Sequence, residues 1–482
     1  MMPPSPKSTL LRSCDRCHAL KEKCQQPQGA VACARCDRLG FECLNRRPTK
    51  KSGRPSRFAK LKQSTASSPL SDASEGDSGK DNKALYAVNP ASIGRPVIPR
   101  CLPSVNNLTS ADHRLVQQML LSDSGADYFL LGPSFAQNHI ELLVSHFVTS
   151  QSVLKDAFLA VACTLQEQSD VINTESTTIR SGYIHACSAL KQLREYQVQS
   201  KHGVSECLAL GAMILSFAHC STSTDAPAIA SRTLALIKEP YETKTDFSHE
   251  DLVFMSCIIL PEIFECLIHG SVPTVRYRPV KGSEKHVDRY IGLFSPLLPH
   301  LYDICELSNA MSCGDNQDMC EIISALELID QQITAWRPDI PLDFTARFTA
   351  VEVSHMLCQV QVMRLGCSLI IHRLKFPFGL NNNPAVALAM SILTQLDLTR
   401  AATNKRILST SIPLVAACFE LQTASDRKMW HARLPELIGY SPGFAGDLQN
   451  LISSFWKARD AVDCLSWSNV GHVMALTRDL DT

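Results

Sequence analysis

From about Leu108 onward the apolar positions recur with a helical period. Ile140, Leu143, Val144 and Phe147 fall at i, i+3, i+4 and i+7, and Leu154, Ala157, Phe158, Val161, Ala162 and Leu165 carry a similar stripe into the next segment. The same reading predicts helices over 183–196, 204–219, 251–269, 319–336, 351–374, 385–398, 412–421 and 448–461. There is no strand-type alternation of useful length and no strict repeat, so residues 108–482 are expected to form one large all-α domain of a dozen or more helices. Ahead of it the periodicity stops. Residues 63–107 are rich in Ser, Asp, Gly and Pro, a composition that cannot bury a core, and are expected to be a disordered linker. Residues 1–13 read as a disordered arm.

Between arm and linker the pattern is set by cysteine. Cys14, Cys17, Cys24, Cys33, Cys36 and Cys43 are spaced C-x2-C-x6-C-x8-C-x2-C-x6-C, two copies of one unit. A structural zinc ion takes four ligands in a tetrahedron, and soft thiolates suit it. Two zinc ions need eight ligand positions, and six sulfurs fill them only if two sulfurs bridge. The internal symmetry points to the first cysteine of each half. One ion then belongs to Cys14, Cys17, Cys24 and Cys33, the other to Cys14, Cys33, Cys36 and Cys43. A disulfide framework would need an oxidising compartment, and residues 1–13 contain no apolar stretch of a secretory signal. An iron–sulfur cluster has no need of this internal duplication.

On these six cysteines, residues 14–43 resemble the fungal binuclear zinc-cluster DNA-binding module. The resemblance implies a short helix after Cys17, entering the major groove of double-stranded DNA. Lys21 would read base edges of a CGG-like triplet there, and Lys23 and Arg16 would hold phosphates. His18 stands where the family commonly has arginine, which weakens one phosphate contact. Pro27 lies early in the loop, where the family's proline usually sits just ahead of the fourth cysteine. In the second half, Gly40 is the expected helix C-cap.

Charge supports this division. Formal net charge is zero, but residues 1–62 hold fifteen Lys plus Arg against four Asp plus Glu, and the remainder holds 32 against 43. A basic head on an acidic body suits a nucleic-acid-binding tip on a soluble domain. The run 44–62 has eight basic residues and no acidic one. Arg46, Arg47, Lys50 and Lys51 are candidates for nuclear import and phosphate binding, with the import machinery as the implied partner and the nucleus as the expected location. Ser52-Gly53-Arg54-Pro55 resembles a weakened minor-groove hook led by Arg54. No a/d repeat is sustained over several heptads, so a second copy of the chain is a candidate partner without the usual coiled-coil geometry.

The fourteen other cysteines, Cys101 to Cys464, mostly lie in apolar runs and are expected to be small buried hydrophobes. The most membrane-like stretch, 252–268, contains Pro261, Glu262 and Glu265 and reads as a core helix, so no membrane partner is expected.

Three segments also resemble the helical regulatory domain of fungal regulators, closest to regulators of secondary-metabolite gene clusters. They are Ile263-Phe264-Glu265-Cys266-Leu267; Arg289-Tyr290-Ile291-Gly292-Leu293 with Pro296 to Pro299; and His372-Arg373-Leu374-Lys375 with Pro377-Phe378-Gly379. Residue by residue these read as helix and turn chemistry within a core. Two enzyme-like motifs fail on chemistry. Gly439-Tyr440-Ser441-Pro442-Gly443 matches G-x-S-x-G, but Pro442 has no N–H for an oxyanion hole. His249-Glu250 begins H-E-x-x-H, but Val253 replaces the second ligand. The expected protein is a nuclear, two-zinc, DNA-binding transcription regulator that engages the transcription machinery or its co-regulators, and not an enzyme. The rival is a zinc-held interaction module tethered to a helical domain with an activity of its own.

Overall fold

Helix ends in this chain are written in local side-chain chemistry. Ser248 opens one helix by accepting the N–H of Asp251 at 3.1 Å, and Asp251 Oδ2 accepts the Ser248 N–H at 2.8 Å. Gly270, with φ +63°, closes that helix. Thr349 and Glu352 repeat the reciprocal cap at the start of another. Buried Glu352 also takes the N–H and hydroxyl of Ser134 at 2.8 and 2.6 Å, so one carboxylate caps a helix and pins a turn 218 residues away.

The computed structural model describes residues 13–15, 17, 24–25, 32–40, 43–44, 108–121, 129–169, 176–221, 225–243, 247–279, 286–313, 319–438, 441–462 and 465–479. The chain divides into two units, Met1–Tyr86 and Ala87–Thr482. The first contains α1 (Ala34–Arg38). The second opens with α2 (Ser110–Leu121), α3 (Ala136–Thr149), α4 (Gln151–Ser169), α5 (Ser176–Glu195), α6 (Lys201–Ser221), α7 (Ala226–Glu242) and α8 (His249–His269). It continues with α9 (Leu298–Cys313), α10 (Met319–Ala335), α11 (Phe344–Arg347), α12 (Ala350–Lys375) and α13 (Asn382–Thr403). It ends with α14 (Ser411–Phe419), α15 (Ala424–Leu437), α16 (Pro442–Ala461) and α17 (Val470–Asp479). Among the described residues the only β-type pairing is an isolated bridge between Asp288 and Gly292. The all-α expectation holds.

One continuous core runs through the second unit. In its first half α4 packs on α5 and α6, and α8 on α6 and α7; in its second half α12 packs on α10, α13 and α14. Gly211 allows the α6–α7 approach, since a Cβ there would sit 2.4 Å from Thr233. The stretch 252–268 lies within α8 and is mostly buried, as a core helix should be. The second half is centred on aromatic rings: Phe419 and Phe455 stack at 3.7 Å, flanked by Phe378 and Trp467. The cysteine expectation needs one correction. Cys163, Cys207, Cys266, Cys305, Cys358, Cys367 and Cys418 are buried, but Cys187, Cys313 and Cys320 are exposed. Each of these three lies on a helix, on its solvent face or in an end turn, positions that apolar context does not reveal.

The three segments that resemble a regulatory domain act as core and turn chemistry. Asp288 is buried and accepts Ser256 Oγ at 2.6 Å and the N–H groups of Tyr290 and Ile291 at 2.7 and 3.1 Å. Gly292 closes the turn with φ +65°, where a Cβ would lie 2.9 Å from Met356. Arg289 lies over the rings of Phe254 and Tyr290 and reaches Glu250 at 2.6 Å.

Candidate metal centre

The cysteine unit is built from one backbone device used twice. Cys33 precedes α1 in extended conformation (φ −71°, ψ 150°), and its Sγ accepts the Cys36 N–H at 3.4 Å, so a sulfur serves as the helix N-cap. α1 ends at Arg38, and Gly40 with φ +65° turns the chain. In the other half the Cys17 N–H donates to Cys14 Sγ at 3.4 Å. The Cys14 N–H donates to Cys24 Sγ at 3.4 Å, and the Cys33 N–H to Cys43 Sγ at 3.3 Å. The halves are also tied to each other. Asp15 N–H donates to the Leu44 carbonyl and Ala34 N–H to the Gln25 carbonyl, both at 2.9 Å. Each contact maps onto its counterpart by the nineteen-residue offset between Cys14 and Cys33. The duplicated spacing is thus a two-fold structure.

The sulfurs converge as that symmetry requires. Two groups have all their sulfurs within 4.8 Å of one another: Cys14, Cys17, Cys24 and Cys33, and Cys14, Cys33, Cys36 and Cys43. The groups share Cys14 and Cys33, the pair expected to bridge. Sγ–Sγ distances are 3.7 Å for Cys17–Cys33, 3.8 Å for Cys14–Cys36 and 3.9 Å for Cys14–Cys33. A zinc ion about 2.3 Å from four sulfurs gives a tetrahedron of edge about 3.8 Å. The donor set therefore fits zinc in number, chemistry and spacing. All six thiols are free of disulfides. Cys14, Cys17, Cys33 and Cys36 are buried, with Cys24 and Cys43 half-buried against them.

The backbone also prepares the shared sulfurs. The Cys36 N–H aimed at Cys33 pulls that thiol down to about 6, and the Cys17 N–H lowers Cys14, in both cases against the effect of burial. At Cys17 burial is the larger effect and pushes the thiol up to about 12; the same cause raises Cys36. Cys24 and Cys43 each take a backbone N–H that lowers them, but burial and neighbouring thiols leave both raised. The two sulfurs common to both groups are the two that most readily become thiolates.

Among the described residues these are the only groups of three or more His, Cys, Asp or Glu spaced to hold a metal. The expected DNA-contacting residues Arg16, His18, Lys21, Lys23, Arg46, Arg47, Lys50, Lys51 and Arg54 lie outside the described residues. The enzyme-like motifs resolve as helix starts. Ser441 is the N-cap of α16, accepting the Phe444 N–H at 3.2 Å, with Pro442 in the first helical position. His249 and Glu250 form the first turn of α8. Sequence reading missed the cross-half bonds of Asp15 and Ala34. Their nineteen-residue offset was the available signal, but backbone partners leave no side-chain trace.

Two family models match the chain. The fungal Zn(2)-Cys(6) binuclear cluster domain matches residues 12–52, and the fungal specific transcription factor domain matches residues 124–478. No curated protein and no solved structure matches it.

Proposed function

The chain belongs to the fungal transcription factors that join a zinc-binding six-cysteine cluster to a helical domain, and from that premise we propose that it is a nuclear regulator reading a CGG-like triplet with two zinc ions per chain. Both matched domains are those of transcription factors, so the chain is a DNA-binding transcription regulator and not an enzyme. The observation that carries the two-ion reading is the pair of four-sulfur groups sharing Cys14 and Cys33. When bound, zinc supplies tetrahedral coordination and the folding free energy that so small a core lacks. Cys14, Cys17, Cys24 and Cys33 would hold one ion, and Cys14, Cys33, Cys36 and Cys43 the other.

In this reading Lys21 meets base edges in the major groove, while Lys23, Arg16 and His18 meet phosphate. Arg46, Arg47, Lys50 and Lys51 serve import and non-specific affinity, and Arg54 lies along the minor groove. Resemblance of the helical segments to regulators of secondary-metabolite gene clusters supports that class of target. Co-regulators and a second copy of the chain are the proposed protein partners. α6 and α8 are long and apolar enough to cross a membrane, yet most of their residues are buried in the helical core, which favours a chain that stays off membranes.

Selection of bound sequences from a random pool by the zinc-loaded chain tests the triplet. On the preferred site Lys21→Ala is expected to cost about 1–3 kcal/mol, with a far smaller loss on random DNA. Lys23→Ala should weaken both about equally. Equal losses on both DNAs for Lys21→Ala would make Lys21 a phosphate clamp. Neutralising Arg46, Arg47, Lys50 and Lys51 together should flatten the slope of log affinity against log salt by up to about four units and impair nuclear import. An unchanged slope with unchanged localisation would remove both roles.

A further inference from the structure

The helical unit contains a cavity of about 220 Å³ bounded by α6, α7, α8, α14 and α16. Its walls are chiefly apolar, set by Leu215 of α6, Leu260 and Phe264 of α8, Ile412 of α14, and Phe444 and Leu448 of α16. A second cavity of about 70 Å³ shares Phe129, Ala212, Ser216, Cys257 and Tyr290 with it. The space is partly open to solvent, a cleft between helices and not a void sealed in the core. Nor is it uniformly greasy. Tyr290, Ser409, Ser411, His219, Glu265 and Asp447 also line it. An apolar pocket with a few convergent polar groups is the usual form of a small-molecule site.

Two backbone features border the same space. Ser409 adopts φ +57°, a left-handed conformation costly for a residue with a Cβ, and its hydroxyl donates to the Tyr290 carbonyl at 3.1 Å. One cavity-lining loop is thereby tied to another. Pro261 lies inside α8 and offers no N–H to the Cys257 carbonyl, one turn back on the same wall.

The charge of the lining restricts the occupant. Glu265 and Asp447 are acidic, and no lysine or arginine is among the described residues that line the cavity. Burial pushes His219 down to about 4, so it is neutral at physiological pH and adds no positive charge. Glu265 is half-exposed and lies 3.2 Å from His269, which sets the acidic side toward solvent. An anion placed here would meet two carboxylates and no lysine or arginine among the described lining residues. A space of about 220 Å³ accommodates a fused two-ring body carrying one short substituent.

We propose that this cavity binds a small amphipathic molecule, neutral or singly cationic, whose apolar body fills the space between α6, α8 and α16 and whose hydroxyl or amino group faces Glu265 and Asp447. Such an occupant would bridge helices of the first and second halves of the helical unit. Binding is independent of DNA and is read without it.

Calorimetric titration of the zinc-loaded full chain with 1-naphthylmethylamine, 1-naphthylmethanol and 1-naphthoate separates the ligand classes. The amine should bind most tightly, at one per chain, the alcohol next, and the carboxylate at least tenfold more weakly than the alcohol. Ser216→Phe places a ring in the shared wall and should weaken the amine and alcohol at least tenfold while leaving the circular dichroism spectrum unchanged. The double variant E265Q/D447N keeps the shape of the cavity; it should retain alcohol affinity and lose the preference for the amine. No saturable binding, naphthoate binding as tight as the alcohol, or an unchanged amine preference in E265Q/D447N would each overturn the proposal. If Ser216→Phe does not fold, the charge variant decides alone.

Discussion

Replacing Cys33 with alanine is expected to empty both metal positions of the cysteine unit at once and to reduce specific DNA binding at least a hundredfold. The Cys33 sulfur belongs to both four-sulfur groups and is fully buried. It is also the N-cap of α1, so the substitution removes a helix cap together with the ligand. Among the described residues the core of this unit consists of four buried cysteines, with Cys24 and Cys43 packed against them. Metal coordination is then nearly the whole of its folding free energy, and structural zinc in comparably small modules supplies about 10–16 kcal/mol. Cys24→Ala provides the contrast. Cys24 is half-buried and belongs to one group only, so this variant should keep the second position partly filled. Metal content per chain, measured beside DNA affinity, distinguishes the two. If Cys33→Ala and Cys24→Ala retain the same metal, Cys33 does not bridge. Removing zinc with a chelator should abolish DNA binding and leave the far-UV signal of the helical unit in place.

The cysteine unit was legible because its chemistry is local. Ligand number, the need for two bridges and the duplicated spacing all lie within thirty consecutive positions, from Cys14 to Cys43. The long helices were legible for a related reason: α3 and α4 present apolar stripes to one core, and α8 and α12 are long apolar segments buried on most of their faces. What escaped is instructive. α7 carries Pro227 in its first turn and Pro240 near its end, and α15 carries Pro435 in its last turn. Proline reads as a breaker, but a first-turn proline has no hydrogen bond to lose, and one near the C-terminus breaks only the last turn. α15 also buries only Trp430, Leu434 and Leu437, too narrow a stripe to stand out. The cavity could not be foreseen, because its walls include Phe264 and Phe444, from segments 180 residues apart. Nor could the buried charges. Arginine and glutamate are almost never fully buried unless paired, and nothing in the sequence marks Arg373 and Glu420, 47 residues apart, as a pair.

Arg373→Met is expected to destabilise the helical unit by about 3–5 kcal/mol, because it strands the Glu420 carboxylate in the core. Arg373 is 0% exposed and Glu420 3%, so neither charge has water to fall back on. The guanidinium grips the carboxylate with two bonds, Nε to Oε1 and Nη2 to Oε2, each 2.6 Å. Its remaining N–H groups donate to the Pro377 and Leu380 carbonyls at 3.1 and 2.8 Å and to Asn382 Oδ1 at 2.9 Å. All five donors are used, and together they fasten the end of α12, the turn at 376–381, the start of α13 and the end of α14. The Phe378 ring lies beneath the cation at 5.0 Å and joins the Phe419–Phe455 stack to it. Arg373→Lys should recover little, because a point charge cannot reproduce the planar fork. The informative partner is the double variant R373M/E420L. Removing both charges abolishes the stranded carboxylate, so it should be markedly more stable than either single variant. It should still fall short of the parent chain, because the Pro377 and Leu380 carbonyls lose their donor. Urea unfolding followed by circular dichroism measures the series, and the Arg373→Met midpoint should fall by about 1 M or more. A double variant no more stable than Arg373→Met would show that the loss comes from the released turn, and that the ion pair itself contributes little.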